Sequence, residues 1–305
     1  MSLVRKTTVL CCLAVALLAP PAAQADPVLR CGRKQVARRR IAMTRHLNGA
    51  GNVFGGWLMA QMDQAASGVA VRRAGGRCVT AALDSMTFKK PVRNGDELSI
   101  YTKLEKVGKS SMTLFVEAFR RDRAGGKAEK VTEGRFTYVA VDKHGRPRPV
   151  DEGKVASTVR RVVRPPQRLF GALAKALGGK RRRTSDAPPA EQHLRLRTNV
   201  QASGLDIAGW LLSEMDLAAG TTARQRAGDS VTIGVTGMSF TKPIEKNDEI
   251  SIYSKLEKVG RSSMRIRVEA WRRPRTGDAQ EKVTEGTFTF VAVDKQGQKR
   301  VIDAQ

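Results

Sequence analysis

Two aspartates sit in stretches that are otherwise apolar and helical in spacing: Asp63 in Gln61-Met62-Asp63 and Asp216 in Glu214-Met215-Asp216. A buried carboxylate is costly unless it is partnered or put to use, and a poised one can act as general base or nucleophile. The plainer reading is an aspartate that emerges at the helix surface or makes a structural hydrogen bond. Ahead of the first helix runs Asn48-Gly-Ala-Gly-Asn-Val-Phe-Gly-Gly56. Free backbone N–H groups at a helix start polarise a carbonyl and hold negative charge developing on its oxygen, although the same glycines also suit a tight turn. Other catalytic sets are missing: His46, His144 and His193 are the only histidines, and there is no nucleophile elbow, phosphate loop or dinucleotide fingerprint.

Spacing limits how these groups can cooperate. Gly56 and Asp63 are seven residues apart, so they share a helix face but lie about 10 Å apart along the axis at roughly 1.5 Å per residue. A base has to come within about 3 Å of the group it serves. Loop and acid of one helix therefore cannot meet on one carbonyl, but those of two antiparallel helices related by a two-fold axis can.

The chain supplies two such helices because it is one module written twice. Lys103-Leu-Glu-Lys-Val-Gly108 recurs at 255–260 and Glu129-Lys-Val-Thr-Glu-Gly134 at 281–286, both at an offset of 152, while Gly56-Trp57-Leu58 recurs at 209–211, an offset of 153. Two copies indicate a paired domain rather than a solenoid. Each copy opens with a short strand (40–44; 194–198), then the glycine-rich turn and the helix, which in copy one stops near Gly75-Gly76. Strands are expected at 78–88, 97–106, 111–121 and 130–142, with a hairpin at Val107-Gly-Lys-Ser110. The expected fold is α+β, a single apolar helix on a long antiparallel sheet in each copy.

The runs Asn48 to Asp63, Asp84-Ser-Met-Thr-Phe-Lys-Lys-Pro-Val92, Val107-Gly-Lys-Ser-Ser-Met112 and Val131-Thr-Glu-Gly-Arg-Phe-Thr-Tyr-Val-Ala-Val-Asp142 resemble the hot-dog-fold acyl-CoA thioesterases. The duplicated form resembles their double hot-dog members. The resemblance implies two tandem hot-dog domains, hydrolysis of acyl-CoA to a free acid and CoA without a metal or organic cofactor, and a homotrimer of tandem chains. It also implies a site in which Asn48 faces Asp216 across the copies, with Asn48 positioning water or the thioester and the Gly55 and Gly56 amides as oxyanion donors. In copy two Gln201 stands for the Asn, Leu205 for Asn52 and Ala208 for the first glycine, so the reciprocal pair of Asp63 and Gln201 is expected to be weak or dead. Candidates for the CoA phosphates are the hairpin tips, Lys109-Ser110-Ser111 and Arg261-Ser262-Ser263, where a cation adjoins hydroxyl and amide donors. Arg72 and Arg73 are weaker candidates.

The 305 residues divide as 1–25, a signal peptide; 26–39, a basic segment; 40–151, domain 1; 152–192, a basic, proline-containing linker around a short amphipathic stretch at 168–177; and 193–305, domain 2. Net charge is +26 and aromatics are 5%. Few aromatics leave little to stack nucleic-acid bases. Runs such as Arg38-Arg39-Arg40 and Lys180 to Arg183 read as a solvated surface or as weak attraction to anionic membranes. Cysteines are too few for a disulfide framework or metal site. Arg5 and Lys6, an apolar stretch at 7–19 and Ala23-Gln24-Ala25 read as an export signal. Because CoA esters are cytosolic, a misassigned start with a cytoplasmic protein, or an exported non-catalytic acyl-thioester or lipid-binding protein, are the competing readings. N-terminal sequencing of the mature protein is expected to begin at Asp26; a retained Met1 overturns the export reading.

Overall fold

The structure is a computed structural model and describes residues 34–48, 51–150, 187–190, 193–200, 206–275, 277 and 279–303. Residues 1–33 and 151–186, which hold the expected signal, much of the linker and the stretch at 168–177, lie outside the described residues, as do Gln201 and Leu205.

Copy one runs β1 (Lys34–Ile41), a 3-10 turn (Thr44–His46), α1 (Gly55–Ala74), β2 (Cys78–Leu83), β3 (Met86–Thr87), β4 (Glu97–Val107), β5 (Ser111–Arg121) and β6 (Glu129–Ala140). Copy two repeats it with β7 (Leu194–Asn199), α2 (Asp206–Ala227), β8 (Ser230–Val235), β9 (Met238–Ser239), β10 (Glu249–Val259), β11 (Ser263–Arg273) and β12 (Glu281–Ala292). Each helix lies on its own antiparallel sheet, as expected. Gly75, at φ 60°, ends α1 as the periodicity predicts, its N–H donating to Arg72 O while that of Gly76 donates to Val71 O.

Two expectations are corrected. The first strand of copy one spans Lys34–Ile41 rather than 40–44, because Ala42 N–H turns back to Asp96 O and Gly95 N–H to Ala42 O at the end of its pairing with β4. It thus draws in part of the basic segment, so Arg38, Arg39 and Arg40 lie on an edge strand, where charge discourages pairing with another chain. The strand expected at 78–88 breaks at Asp84-Ser85, where Asp84 N–H turns to Arg135 O. The chain then crosses to the other copy.

That crossing ties the copies together. The sheet orders are β1-β4-β5-β6-β2-β9 and β3-β8-β12-β11-β10-β7: Met86 and Thr87 pair with Val235 and Gly234, and Met238 and Ser239 pair with Leu83 and Ala82. The glycine repeated in Glu-Lys-Val-Thr-Glu-Gly makes room for this, since a Cβ on Gly134 would sit 2.7 Å from Met86 Cγ. One core runs through both copies, built mainly of Leu, Val, Ile, Met and Ala with Phe136, Tyr138, Phe288 and Phe290.

The two helices pack antiparallel: Gly56 lies against Ser213 and Asp216, and Gly209 against Ala60 and Asp63. A Cβ on Gly56 would come 2.7 Å from Asp216 Cβ and 2.8 Å from Ser213 Cα, whereas one on Gly209 would come no nearer than 3.2 Å to Ala60 Cα. Because a helix backbone cannot yield as a side chain does, Gly56→Ala is expected to cost about 2–3 kcal/mol and Gly209→Ala less. Urea melts followed by circular dichroism check the ranking; equal costs would refute it.

Candidate functional site

Both helix aspartates are buried, Asp63 at 0% and Asp216 at 1% exposure, which excludes the surface reading. Asp216 Oδ2 accepts the Gly56 N–H at 2.8 Å and Oδ1 accepts the Thr232 hydroxyl at 2.8 Å. The glycine-rich start of one copy thus meets the acid of the other, as helix spacing requires. The first turn of α1 also presents the positive end of its dipole to the carboxylate. Burial is nevertheless the stronger influence and raises the Asp216 pKa to about 6, against the opposing pull of the Gly56 and Thr232 hydrogen bonds.

Beside this pair opens a cavity of about 350 Å³. Gly55 and Thr232 form the part of its wall next to Asp216, buried Leu58, Val92, Val131, Val291 and Val293 give it an apolar lining, and Lys89, Lys90 and Lys299 stand at its exposed edge. The Gly56 amide is committed to Asp216, so of the two amides expected to face an oxyanion only Gly55, on the cavity wall, keeps that place. Asn48 stands back from the cavity. Its Oδ1 accepts the Asn52 N–H at 3.1 Å, its own N–H donates to Asn52 O at 2.7 Å, and Asn52 rather than Asn48 reaches the cavity wall. His46, stacked on Trp57 at 4.3 Å, packs against the same loop, where Phe54 N–H donates to His46 O.

The reciprocal arrangement is different. Asp63 Oδ1 accepts from Thr80 Oγ1 and from the Tyr138 hydroxyl, each at 2.9 Å. Burial, and then the Asp63 charge, raise the Tyr138 phenol well above its usual pKa and keep it a proton donor. Phe290 occupies the corresponding place in copy two, so Asp216 has no such phenol. A second cavity of about 280 Å³ lies here, lined by Thr80, Ala208 and Phe240 among others. Strand register shows a further loss. Ile41 pairs with Glu97 and Asn199 with Glu249, an offset of 158 (199 − 41), against 153 at the helix start (209 − 56), so the loop of copy two is five residues shorter. Gln201 belongs to that shortened loop and lies outside the described residues.

The hairpin tips are not brought to either cavity. Lys109 and Ser110 offer their carbonyls to Val150 and Ala140, Arg261 and Ser262 theirs to Ile302 and Ala292, and Ser111 and Ser263 accept from Gly108 and Gly260. None of the six lines the cavity beside Asp216 or the one beside Asp63. Sequence reasoning missed Thr80, Thr232, Tyr138 and the three lysines. The threonines carried a signal, being a matched pair at an offset of 152 (232 − 80) in strands that otherwise share only Val79 with Val231.

The sequence pattern of the thioesterase superfamily matches residues 50–127 and 208–278. Over 122 residues the chain is 48% identical to an uncharacterized acyl-CoA thioester hydrolase of Zymomonas mobilis, covering 40% of this chain and 80% of that protein. It is 40% identical over 113 residues to the acyl-CoA thioester hydrolase YciA of Escherichia coli, covering 36% of this chain and 86% of that one. Among solved structures, the hexameric thioesterase y2039 from Yersinia pestis is similar at 42% identity, covering 39% of this chain and 97% of that chain, with a TM-score of 0.38.

The raised pKa of Asp216 makes a testable contribution to stability. Its folded value lies above its unfolded one, so the contribution is fully present below about pH 4 and is lost as pH rises through the folded value, here about 6. An asparagine keeps an acceptor for Gly56 N–H and offers an amide to Thr232. Thermal melts should therefore show wild type losing ground to Asp216→Asn between about pH 4 and pH 7; a constant difference would refute the shift.

Proposed function

Since the chain belongs to the thioesterase superfamily and is a thioester hydrolase, we propose that it hydrolyses fatty acyl-CoA to a free fatty acid and CoA at one composite site, Asp216 of copy two with the glycine-rich loop of copy one. The observation that carries this reading is the 2.8 Å hydrogen bond from Gly56 N–H to Asp216 across the copies. It is supported by the relatives, which are named acyl-CoA thioester hydrolases.

In this reading the acyl chain lies along the apolar wall and the thioester carbonyl turns its oxygen to Gly55 N–H, which holds the charge of the tetrahedral intermediate. Ionised Asp216 either removes a proton from the attacking water or attacks the carbonyl carbon itself; in both routes the C–S bond breaks and CoA leaves as the thiolate. Asn48 acts by fixing the loop through Asn52, which sets where water and the thioester sit. The second cavity is the weak partner, because its loop is five residues short and Ala208 replaces the glycine at the helix start.

Export with cleavage after Ala25 is part of the proposal and rests on the small residues at Ala23 and Ala25. So is assembly as a homotrimer of tandem chains, for which light scattering gives the mass. Weak attraction to anionic membranes rests on the net charge of +26 and on nothing else.

The deciding assay is thiol release from a panel of short to long acyl-CoAs. Turnover is expected, with Asp216→Asn reducing it about 100-fold or more and Asp63→Asn leaving it within a few-fold of wild type. The rate kcat/KM should be flat above a pKa of about 6 and fall about tenfold per pH unit below it. Silence across the panel with measurable fatty-acyl binding would replace the hydrolase by the non-catalytic binding protein, and the opposite ranking of the aspartates would move the site to Asp63.

A further inference from the structure

The cavity beside Asp216 is apolar along its buried wall and cationic at its edge. Its exposed lining includes Lys89, Lys90 and Lys299, and no aspartate or glutamate lines it. Two of these cations are already paired, Lys89 with Glu133 at 3.3 Å and Lys90 with Glu129 at 2.5 Å. Lys299 has no carboxylate partner among the described residues.

The backbone that carries Lys299 is well fixed. It follows a tight turn in which Asp294 N–H donates to Gln298 O, Gln298 N–H donates to Asp294 Oδ1 and Gly297 adopts φ 77°, and it bridges Val293 on the strand side. The matching turn of copy one bridges Val141 to Pro147, so this cation is peculiar to the side of the molecule where Gly56 meets Asp216. The cavity beside Asp63 is lined by Arg77, Lys143 and Lys242 but also by Glu245, a mixed charge that repels as well as attracts a phosphate.

From this arrangement we propose that Lys299, flanked by Lys89 and Lys90, is the phosphate-binding edge of the active cavity and favours thioesters whose thiol carrier bears phosphate. The inference rests on the acyl-CoA reading above and deepens it. With the thioester carbonyl at Gly55 and Asp216, the pantetheine arm must leave by the open end, which carries the phosphate groups of CoA past these lysines. An ammonium carried on a short turn gives them a charge-assisted contact. The hairpin tips, which do not line this cavity, are replaced as the phosphate site.

The test uses the full chain and two probes, CoA and phosphate-free pantetheine, titrated by calorimetry at low salt, together with KM for an acyl-CoA and the matching acyl-pantetheine. Lys299→Glu should weaken CoA binding and raise the acyl-CoA KM about fivefold or more through loss and reversal of one phosphate contact. The pantetheine values should move less than twofold. Lys299→Pro, which the turn of copy one already accommodates at Pro147, should give a smaller loss with the same selectivity and guards against misfolding of the charge-reversed chain. Equal effects on both probes, or none on CoA, would overturn the proposal. Absence of acyl-CoA turnover in the wild type, with CoA binding that still depends on Lys299, would remove the hydrolase reading and leave the phosphate edge standing.

Discussion

The close crossing of α1 and α2 is the constraint on which the rest depends. A carboxylate at 1% exposure survives there because a helix N-terminus delivers a backbone N–H to it and a strand hydroxyl takes its other oxygen. The Gly56 contact is available only because the helix backbones approach to a distance that leaves no room for a Cβ at Gly56, while Thr232 comes from the strand of Asp216's own copy. The exchanged strands serve the same end. Met86 and Thr87 pair with copy two, and Met238 and Ser239 with copy one, so the sheets hold the helices in one register. A single core continues across the junction, and the two copies fold as one body.

Duplication relaxes a symmetry that identical subunits must obey. In this chain the two crossings have diverged on both sides of the pseudo-two-fold axis. Ser213 stands in copy two where copy one has Ala60, and its hydroxyl lies within hydrogen-bond distance of the carbonyls of Gly56 and Gly209. Tyr138 of copy one is Phe290 in copy two, so one aspartate accepts from a phenol and the other does not. The second loop is five residues shorter than the first, in which His46 stacks on Trp57 and Asn48 accepts from Asn52.

The large positive charge separates by location. Part of it lies on the edge strand β1, where arginines blunt an exposed row of backbone groups and Arg39 approaches Glu97 at 4.0 Å. Another part is neutralised in ladders across the sheet faces, such as Lys130 between Glu117 and Glu133 and Lys282 between Glu269 and Glu285. Lys89 and Lys90 also belong to such pairs, with Glu133 and Glu129, whereas Lys299 borders a concave surface lined by no carboxylate, where a positive field is concentrated on whatever enters.

By itself the sequence determined the duplication, the order of helix and strands, the glycine stop of α1 and the need for the two aspartates to work across copies. Each of these follows from periodicity, from glycine stereochemistry or from the rise of a helix, which are local properties of the chain. It misjudged the strand at 78–88, because leaving one's own sheet for a neighbour's is decided by where that neighbour lies. It also aligned the second loop by its helix alone, since a gap is visible only when the strand on the other side has a fixed register. Only the tertiary structure decided that Gly56 is spent on Asp216, that Asn52 rather than Asn48 reaches the cavity, and that the cations beside it come from Lys89, Lys90 and Lys299. Those groups are distant in the chain or compete for the same partners, and hydrogen-bond direction and burial are set by the assembled helices and sheets.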